Sequence, residues 1–210
     1  APDQEGHGLL ATDHNGLLMY DAAGNIVDHV LNIPTDSRSL SDNTLQCLYV
    51  DDLGALWIGF YRMGMAVRAT QHSFFALMPL GDICTMAQDH DGAIWLGTND
   101  RGIEWYDLKR DVRHITMAQS GLGSDVVVAT LADRDGSLWF GAYQGGLAHL
   151  SKGKWTVYRQ KNSGIAHDNV WALAQLRDGT IAIATLGAGL QQFDPKTGKF
   201  TTYNTRNSNL

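Results

Sequence analysis

Residues 89–107 read DHDGAIWLGTNDRGIEWYD. Asp91-Gly92 is a turn signal, Ile94-Trp95-Leu96 a short apolar strand, Gly102 the close of a tight loop, and Ile103 to Tyr106 a second strand. Alone the stretch encodes a hairpin. Its weight comes from recurrence, because the same phrase returns along the whole chain. With Trp95 as origin, Leu9, Trp57, Trp139 and Ala182 fall in the same column, and successive copies are 48, 38, 44 and 43 residues apart.

Three columns around that origin are nearly invariant. Gly stands three residues before it (Gly6, Gly54, Gly92, Gly136, Gly179), and a small residue two after it (Ala11, Gly59, Gly97, Gly141, Ala184). Gly returns seven after it (Gly16, Gly64, Gly102, Gly146, Gly189), each time followed by an apolar residue. The first Gly, preceded by Asp91, Asp135 or Asp178 in three copies, reads as a tight Asp-Gly hairpin turn. The small residue admits a neighbouring sheet at close range beside the bulky Trp57, Trp95 or Trp139. The Gly at plus seven suits a left-handed turn back into strand.

On either side of that stretch, the later copies each hold four short strands. The second is expected at Leu45–Val50, Leu56–Phe60, Met65–Arg68 and Ser73–Met78, and the third at Asp82–Gln88, Ile94–Thr98, Ile103–Asp107 and Val112–Met117. The fourth uses Asp125–Ala132, Leu138–Ala142, Leu147–Leu150 and Lys154–Tyr158; the fifth uses Val170–Leu176, Ile181–Thr185, Leu190–Phe193 and Lys199–Tyr203. The first copy has only Leu9–Thr12, Leu17–Tyr20 and Ile26–Leu31, so its leading strand is missing. The copies run over residues 1–36, 37–79, 80–121, 122–165 and 166–210, and no helix of ordinary length fits between their strands.

Units of 40–45 residues with four strands and a Trp-bearing phrase predict an all-β fold, a β-propeller of four-stranded antiparallel blades. About five repeats are present, and both ends fall inside the repeat pattern. The expectation is therefore an arc of a larger propeller, with a closed five-blade ring as the alternative.

Composition fits this reading. The chain of 210 residues is 44% hydrophobic and 18% charged, with 23 Gly against 4 Pro, as many short strands and tight turns require. No apolar run approaches the ~18 residues that span a bilayer, and no charged leader with an apolar core begins the chain, so the segment is expected to be soluble. A net charge of −6 without any Lys/Arg run argues against a nucleic-acid partner. Cys47 and Cys84, seven and eight residues before their turn glycines, are expected on opposite sides of their strands as free thiols rather than a disulfide.

The phrases DLGALWIGFYRMGMAV, DHDGAIWLGTNDRGIEWYD and DRDGSLWFGAYQGGLAHL resemble the two-component regulator propeller repeat, roughly Asp-x-x-Gly-x-Leu-Trp-Ile-Gly-Thr-x-x-x-Gly-Leu. The connectors SLSDNTLQCL and NSGIAHDNVWAL resemble that family's lead into the next strand. The first and fifth copies depart from it, with Leu9 and Ala182 in place of Trp. The resemblance implies a sensory role: in this family such propellers, usually seven-bladed, form the periplasmic or extracellular part of membrane-anchored histidine kinases, hybrid two-component regulators or diguanylate cyclases. It also implies that the remaining blades and an output domain lie elsewhere in the parent chain.

Chemistry is sparse. The eight histidines show no metal-ligand spacing, no catalytic constellation is arguable from spacing, and turn formation explains Asp91, Asp135 and Asp178. The expectation is no catalytic residue, no metal and no cofactor. Binding is read into the loop between second and third strands, which varies inside a fixed frame: Asp13-His14-Asn15, Tyr61-Arg62-Met63, Asn99-Asp100-Arg101, Tyr143-Gln144-Gly145 and Leu186-Gly187-Ala188. In a propeller these loops gather on one face, beside connectors carrying Arg38 and His167. Tyr61, Arg62, Asn99, Arg101, Tyr143 and Gln144 are the candidates for holding a small molecule or saccharide, because Tyr and Arg stack on rings and grip carboxylates. The alternatives are a protein-interaction or homodimerisation scaffold, and a lyase-type propeller enzyme needing a metal-binding His/Glu cluster.

Overall fold

A computed structural model describes residues 6–70, 75–78, 80–107 and 112–209. These residues form strands, turns and connectors, with no helix among them. The first sheet holds β1 (Gly8–Ala11), β2 (Leu17–Tyr20) and β3 (Ile26–Val30). The second holds β4 (Leu45–Val50), β5 (Leu56–Phe60), β6 (Met65–Arg68) and β7 (Ala76–Met78). The third holds β8 (Ile83–Gln88), β9 (Ile94–Thr98), β10 (Ile103–Tyr106) and β11 (Val112–Ile115). The fourth holds β12 (Val127–Ala132), β13 (Leu138–Ala142), β14 (Gly146–Ser151) and β15 (Lys154–Tyr158). The fifth holds β16 (Val170–Gln175), β17 (Ile181–Thr185), β18 (Gly189–Asp194) and β19 (Lys199–Tyr203). Every sheet runs in simple sequence order, and the first has three strands where the others have four. Most strand ends coincide with the sequence reading; the others differ by one or two residues, except that β7 begins at Ala76 rather than Ser73. Residues 73 and 74 of the expected Ser73–Met78 strand lie outside the described residues.

The chain divides into two compact units, Ala1–Met86 and Ala87–Leu210. The first has a core of Leu9, Leu17, Met19, Leu40, Leu45, Leu56, Ile58, Phe60, Ala66 and Phe75. In the second, one cluster joins Trp95, Ile103, Val127 and Phe140, and another joins Trp139, Ile165, Val170, Ile181, Ile183 and Phe193. The middle strands β5, β9 and β13 are buried along their whole length, so their side chains meet apolar neighbours on both faces.

The glycine columns have a backbone cause. All five plus-seven glycines have left-handed φ, from 67° at Gly16 to 84° at Gly189. A Cβ on any of them would collide with the carbonyl oxygen of a residue at or just beyond the outer strand: Val30, Met78, Ile115, Tyr158 or Tyr203. The column two after the Trp is small for a different reason. A Cβ at Gly141 would lie 2.6 Å from the Val170 Cγ1 of the next sheet, and one at Gly59 would meet the Cys47 thiol and the Ile83 carbonyl.

Two expectations change. The Asp-Gly turn is not a two-residue hairpin, since only the glycine has positive φ, whereas that turn needs it at both central positions. The pairs Val50↔Leu56, Ala132↔Leu138 and Gln175↔Ile181 close longer loops. Their principal acceptor in the second to fourth copies stands six before the Trp rather than directly before the Gly. The Asp51 carboxylate accepts the N–H groups of Leu53 and Ala55 and the Trp57 indole N–H at 2.8 Å. Trp95 donates likewise to Asp89 at 2.7 Å, and Trp139 to Asp133 at 3.1 Å.

Cys47 and Cys84 form no disulfide. The Cys47 Sγ lies 3.6 Å from the Ile83 carbonyl oxygen, and burial, followed by the neighbouring Cys84, pushes its pKa up to about 12. That holds Cys47 as an unreactive thiol.

Candidate functional site

The variable loops are built on strained backbone. The second residue of four of them is left-handed: His14 (φ 67°), Arg62 (63°), Gln144 (55°) and Gly187 (86°). Non-glycine residues seldom hold this conformation, and here it throws the His14, Arg62 and Gln144 side chains outward from the same place in each repeat. The third loop departs, with Asp100 outside that region. There the Thr98 hydroxyl accepts the Arg101 N–H at 2.9 Å and donates to the Gly102 carbonyl at 2.9 Å.

A second device is a β-bulge at the start of the innermost strand. Register passes from Leu45 to Cys47, from Val127 to Ala129 and from Val170 to Ala172, leaving Gln46, Val128 and Trp171 as extra residues. A bulge re-aims the side chain it frees.

In the first unit these devices converge. A cleft of about 440 Å³ is lined by Asp13 and His14 from one loop, Thr44, Leu45 and the bulged Gln46 from the start of β4, and Tyr61 from the next loop. His14 Nδ1 lies 2.6 Å from the Asp13 carboxylate, and both side chains are largely exposed. The Arg62 guanidinium sits 4.9 Å from the centre of the Tyr61 ring, a cation–π contact that rigidifies this wall. Two more bonds fix the frame: Gly16 N–H donates to the Asn43 carbonyl at 2.8 Å, and Leu45 N–H to the Thr12 carbonyl at 2.9 Å.

The sequence-derived candidates therefore separate. Tyr61 and Arg62 belong together at this cleft. Arg38 does not line it; it pairs with Asp36 at 3.1 Å and borders a separate cleft of about 340 Å³ with Asp28, His29 and Phe75. Arg101 is engaged within its own sheet. Its Nη2 lies 3.1 Å from Glu104, a fully buried carboxylate that His114 Nδ1 also approaches at 3.6 Å. Asn99 is exposed beside it.

Tyr143 and Gln144 stand together in the second unit. The Gln144 N–H donates to Asn169 Oδ1 at 2.6 Å, and its carbonyl accepts from Arg159, which also pairs with Asp168 at 3.2 Å. His167 is a local brace, its Nδ1 accepting the Asn169 N–H at 3.0 Å. Among the described residues no group of three or more His, Cys, Asp or Glu side chains is arranged to hold a metal ion. Thr44, Gln46 and Trp171 are absent from the sequence-derived candidates, since nothing in local composition marks a bulge.

Comparison with known proteins agrees with this geometry. A family described as two-component regulator propeller matches residues 78–100 and 121–144. The extracellular domain of a hybrid two-component system from B. thetaiotaomicron superposes with a TM-score of 0.83 at 21% identity, over 98% of this chain and 28% of that one. PorZ, a bacterial surface component of the type-IX secretion system of Porphyromonas gingivalis, follows at 0.72 and 17%, over 97% and 33%. Virginiamycin B lyase from Staphylococcus aureus also gives 0.72, at 14% identity, over 97% of this chain and 68% of that one. At these identities the likeness is one of fold, and the chain spans a third or less of the first two proteins. Comparison with curated proteins gives no match.

Repeat, sheet order and superposition together define a set of β-propeller blades. Within that set, residues 78–100 and 121–144 are the stretches that match the two-component regulator propeller repeat.

Proposed function

We propose that this chain is part of the sensory ectodomain of a bacterial two-component signalling protein, located in the periplasm or outside the cell, and that it binds a small molecule or saccharide without transforming it. The matching repeat and the fold of extracellular two-component domains support the sensory reading. The observation that carries the binding reading is the cleft of about 440 Å³ at Asp13, His14, Thr44, Gln46 and Tyr61. Its volume is that of a small-ligand site, and its lining combines one aromatic wall with a carboxylate, an imidazole, an amide and a hydroxyl. Further blades and the output module belong to the parent protein.

Calorimetric titration of the chain with a panel of mono- and oligosaccharides, neutral and acidic, tests this. Saturable binding that weakens about tenfold or more in Tyr61→Ala and Gln46→Ala supports it. A ligand that binds both variants as tightly as the parent chain removes the site, and no binding across the panel removes the saccharide reading.

A further inference from the structure

Trp171 is the one exposed tryptophan of six, with 48% of its surface open, whereas Trp57, Trp95 and Trp139 are buried and Trp105 and Trp155 partly so. Its position in the repeat bears on that exposed apolar surface. Trp171 is the bulged residue of β16, as Gln46 is of β4, and Gln46 lines the cleft of the first unit.

Carrying every lining residue of that cleft three copies forward gives a matching set within the second unit. Asp13 and His14 become Tyr143 and Gln144; Thr44, Leu45 and Gln46 become Asn169, Val170 and Trp171; Tyr61 becomes Leu186. The transferred set is physically adjacent. The Tyr143 and Trp171 rings stand 6.5 Å apart at 68°, Gln144 N–H bonds to Asn169, and Leu186 N–H donates to the Asn169 carbonyl at 3.0 Å. Tyr143 (38%), Trp171 and Leu186 (50%) are all exposed. What is a polar cleft in the first unit is here an aromatic corner.

We infer that Trp171 and Tyr143 form a stacking subsite for the ring of a neutral saccharide. This rests on the loop-face binding reading above and adds a second site of distinct chemistry. Two aromatic walls near a right angle present one π face and one ring edge, which suits a pyranose: its axial C–H face lies on the indole while its hydroxyl edge stays in water or meets Gln144. The choice of a neutral ligand follows from charge. The nearby ionic groups, Arg159 and Asp168, are paired with each other at 3.2 Å, so they offer no unbalanced charge to a carboxylate or an amine.

Fluorescence provides a direct test, because Trp171 dominates the quencher-accessible emission. Acrylamide quenching is measured on the chain with and without cellohexaose, xylohexaose, mannohexaose or maltohexaose, and binding is followed in parallel by calorimetry. The expected result is saturable protection by at least one of them, absent in Trp171→Phe, with affinity reduced about tenfold in Trp171→Ala and less in Tyr143→Ala. Circular dichroism confirms that the variants keep the sheet signal. Calorimetric binding without protection of Trp171, abolished by Tyr61→Ala, overturns the subsite and leaves the first cleft standing. Binding by neither measure overturns both, and protection by an aromatic peptide but no saccharide reassigns the corner to a protein partner.

Discussion

The fourth and fifth sheets share strand order, the bulge at the first strand and the left-handed glycine ahead of the third, yet they are packed differently. In the fourth, β13 is buried throughout, its Trp139 face covered by the fifth sheet; in the fifth, Ile181 and Ile183 are buried, while Ala182 and Ala184, on the face that no later sheet of this sequence covers, are only partly so. Trp139 is 1% exposed, donates to Asp133, stacks on His149 at 3.7 Å and meets Phe193 edge-on at 5.6 Å. The fifth sheet places Leu176, Ala182 and Gln192 where the fourth has Asp133, Trp139 and His149. In the fifth sheet the indole and its carboxylate are lost together, so no buried indole N–H is left without its acceptor. Glycines and bulges thus set the backbone, while the Trp–Asp pair adds packing to a frame that forms without it.

The substitution that bears hardest on this contrast is Trp139→Ala. It opens a cavity among Ile165, Val170, Ile181, Ile183 and Phe193 and should cost about 3–5 kcal/mol, read from urea unfolding. Ala182→Ser, in the same column of the fifth sheet, should stay within about 0.5 kcal/mol. Equal costs at the two positions would mean that the tryptophan column carries no special packing load.

Next in size is Asp133→Leu, which writes the fifth sheet's residue into the fourth. The Trp139 indole N–H loses its acceptor and Gln175, whose side-chain amide also donates to Asp133, loses a partner, for about 1–3 kcal/mol. Combining it with Trp139→Ala recreates the fifth sheet's pair, and the double variant should cost less than the two singles added. Strict additivity would show that the two residues act independently.

These devices were unequally legible in the sequence. The glycine columns and the Trp spacing marked the strands and their four-fold grouping, because a position that needs positive φ or cannot hold a Cβ leaves little choice of residue. The role of Asp51, Asp89 and Asp133 was hidden by the Asp-Gly pair that follows closely in the third and fourth copies, which imitates a tight hairpin. At the binding loops, Tyr61 was readable as an exposed aromatic in a variable segment. Gln46 and Trp171 were not, since a bulge is settled by pairing between strands rather than by the residue that occupies it. Arg101 looked free because its partner, Glu104, sits in a strand that reads as apolar.

That pair gives the third test. The fifth sheet buries Gln191, a neutral amide, in the column where the third buries Glu104; its amide donates to Gly164 and Thr202 and its oxygen accepts from Ala166. Arg101→Ala leaves the Glu104 carboxylate without its nearest counter-charge. Because the arginine is 43% exposed, the cost should be near 1–2 kcal/mol rather than that of a fully buried pair. Adding Glu104→Gln should recover most of the loss in thermal melting. A variant that melts unchanged at Arg101→Ala would free Arg101 for a ligand after all.

The smallest effect separates His149 from Gln192. Burial lowers the His149 pKa from 6.5, and Asp135 and then Asp133 oppose that shift without reversing it. A histidine whose pKa is lower folded than unfolded takes up its proton more readily when unfolded. The native state therefore loses stability as pH falls below 6.5, and the loss levels off once the folded-state imidazole is protonated as well. Asp135, held below its ordinary 3.8 mainly by its hydrogen bond from Ser137, contributes a separate loss only as pH falls below 3.8. Urea midpoints taken from about pH 7.5 down to about pH 5 should decline less in His149→Gln, which carries the fifth sheet's residue, than in the parent chain. Parallel declines in the two proteins would place the titration elsewhere and leave the stacked histidine as packing alone.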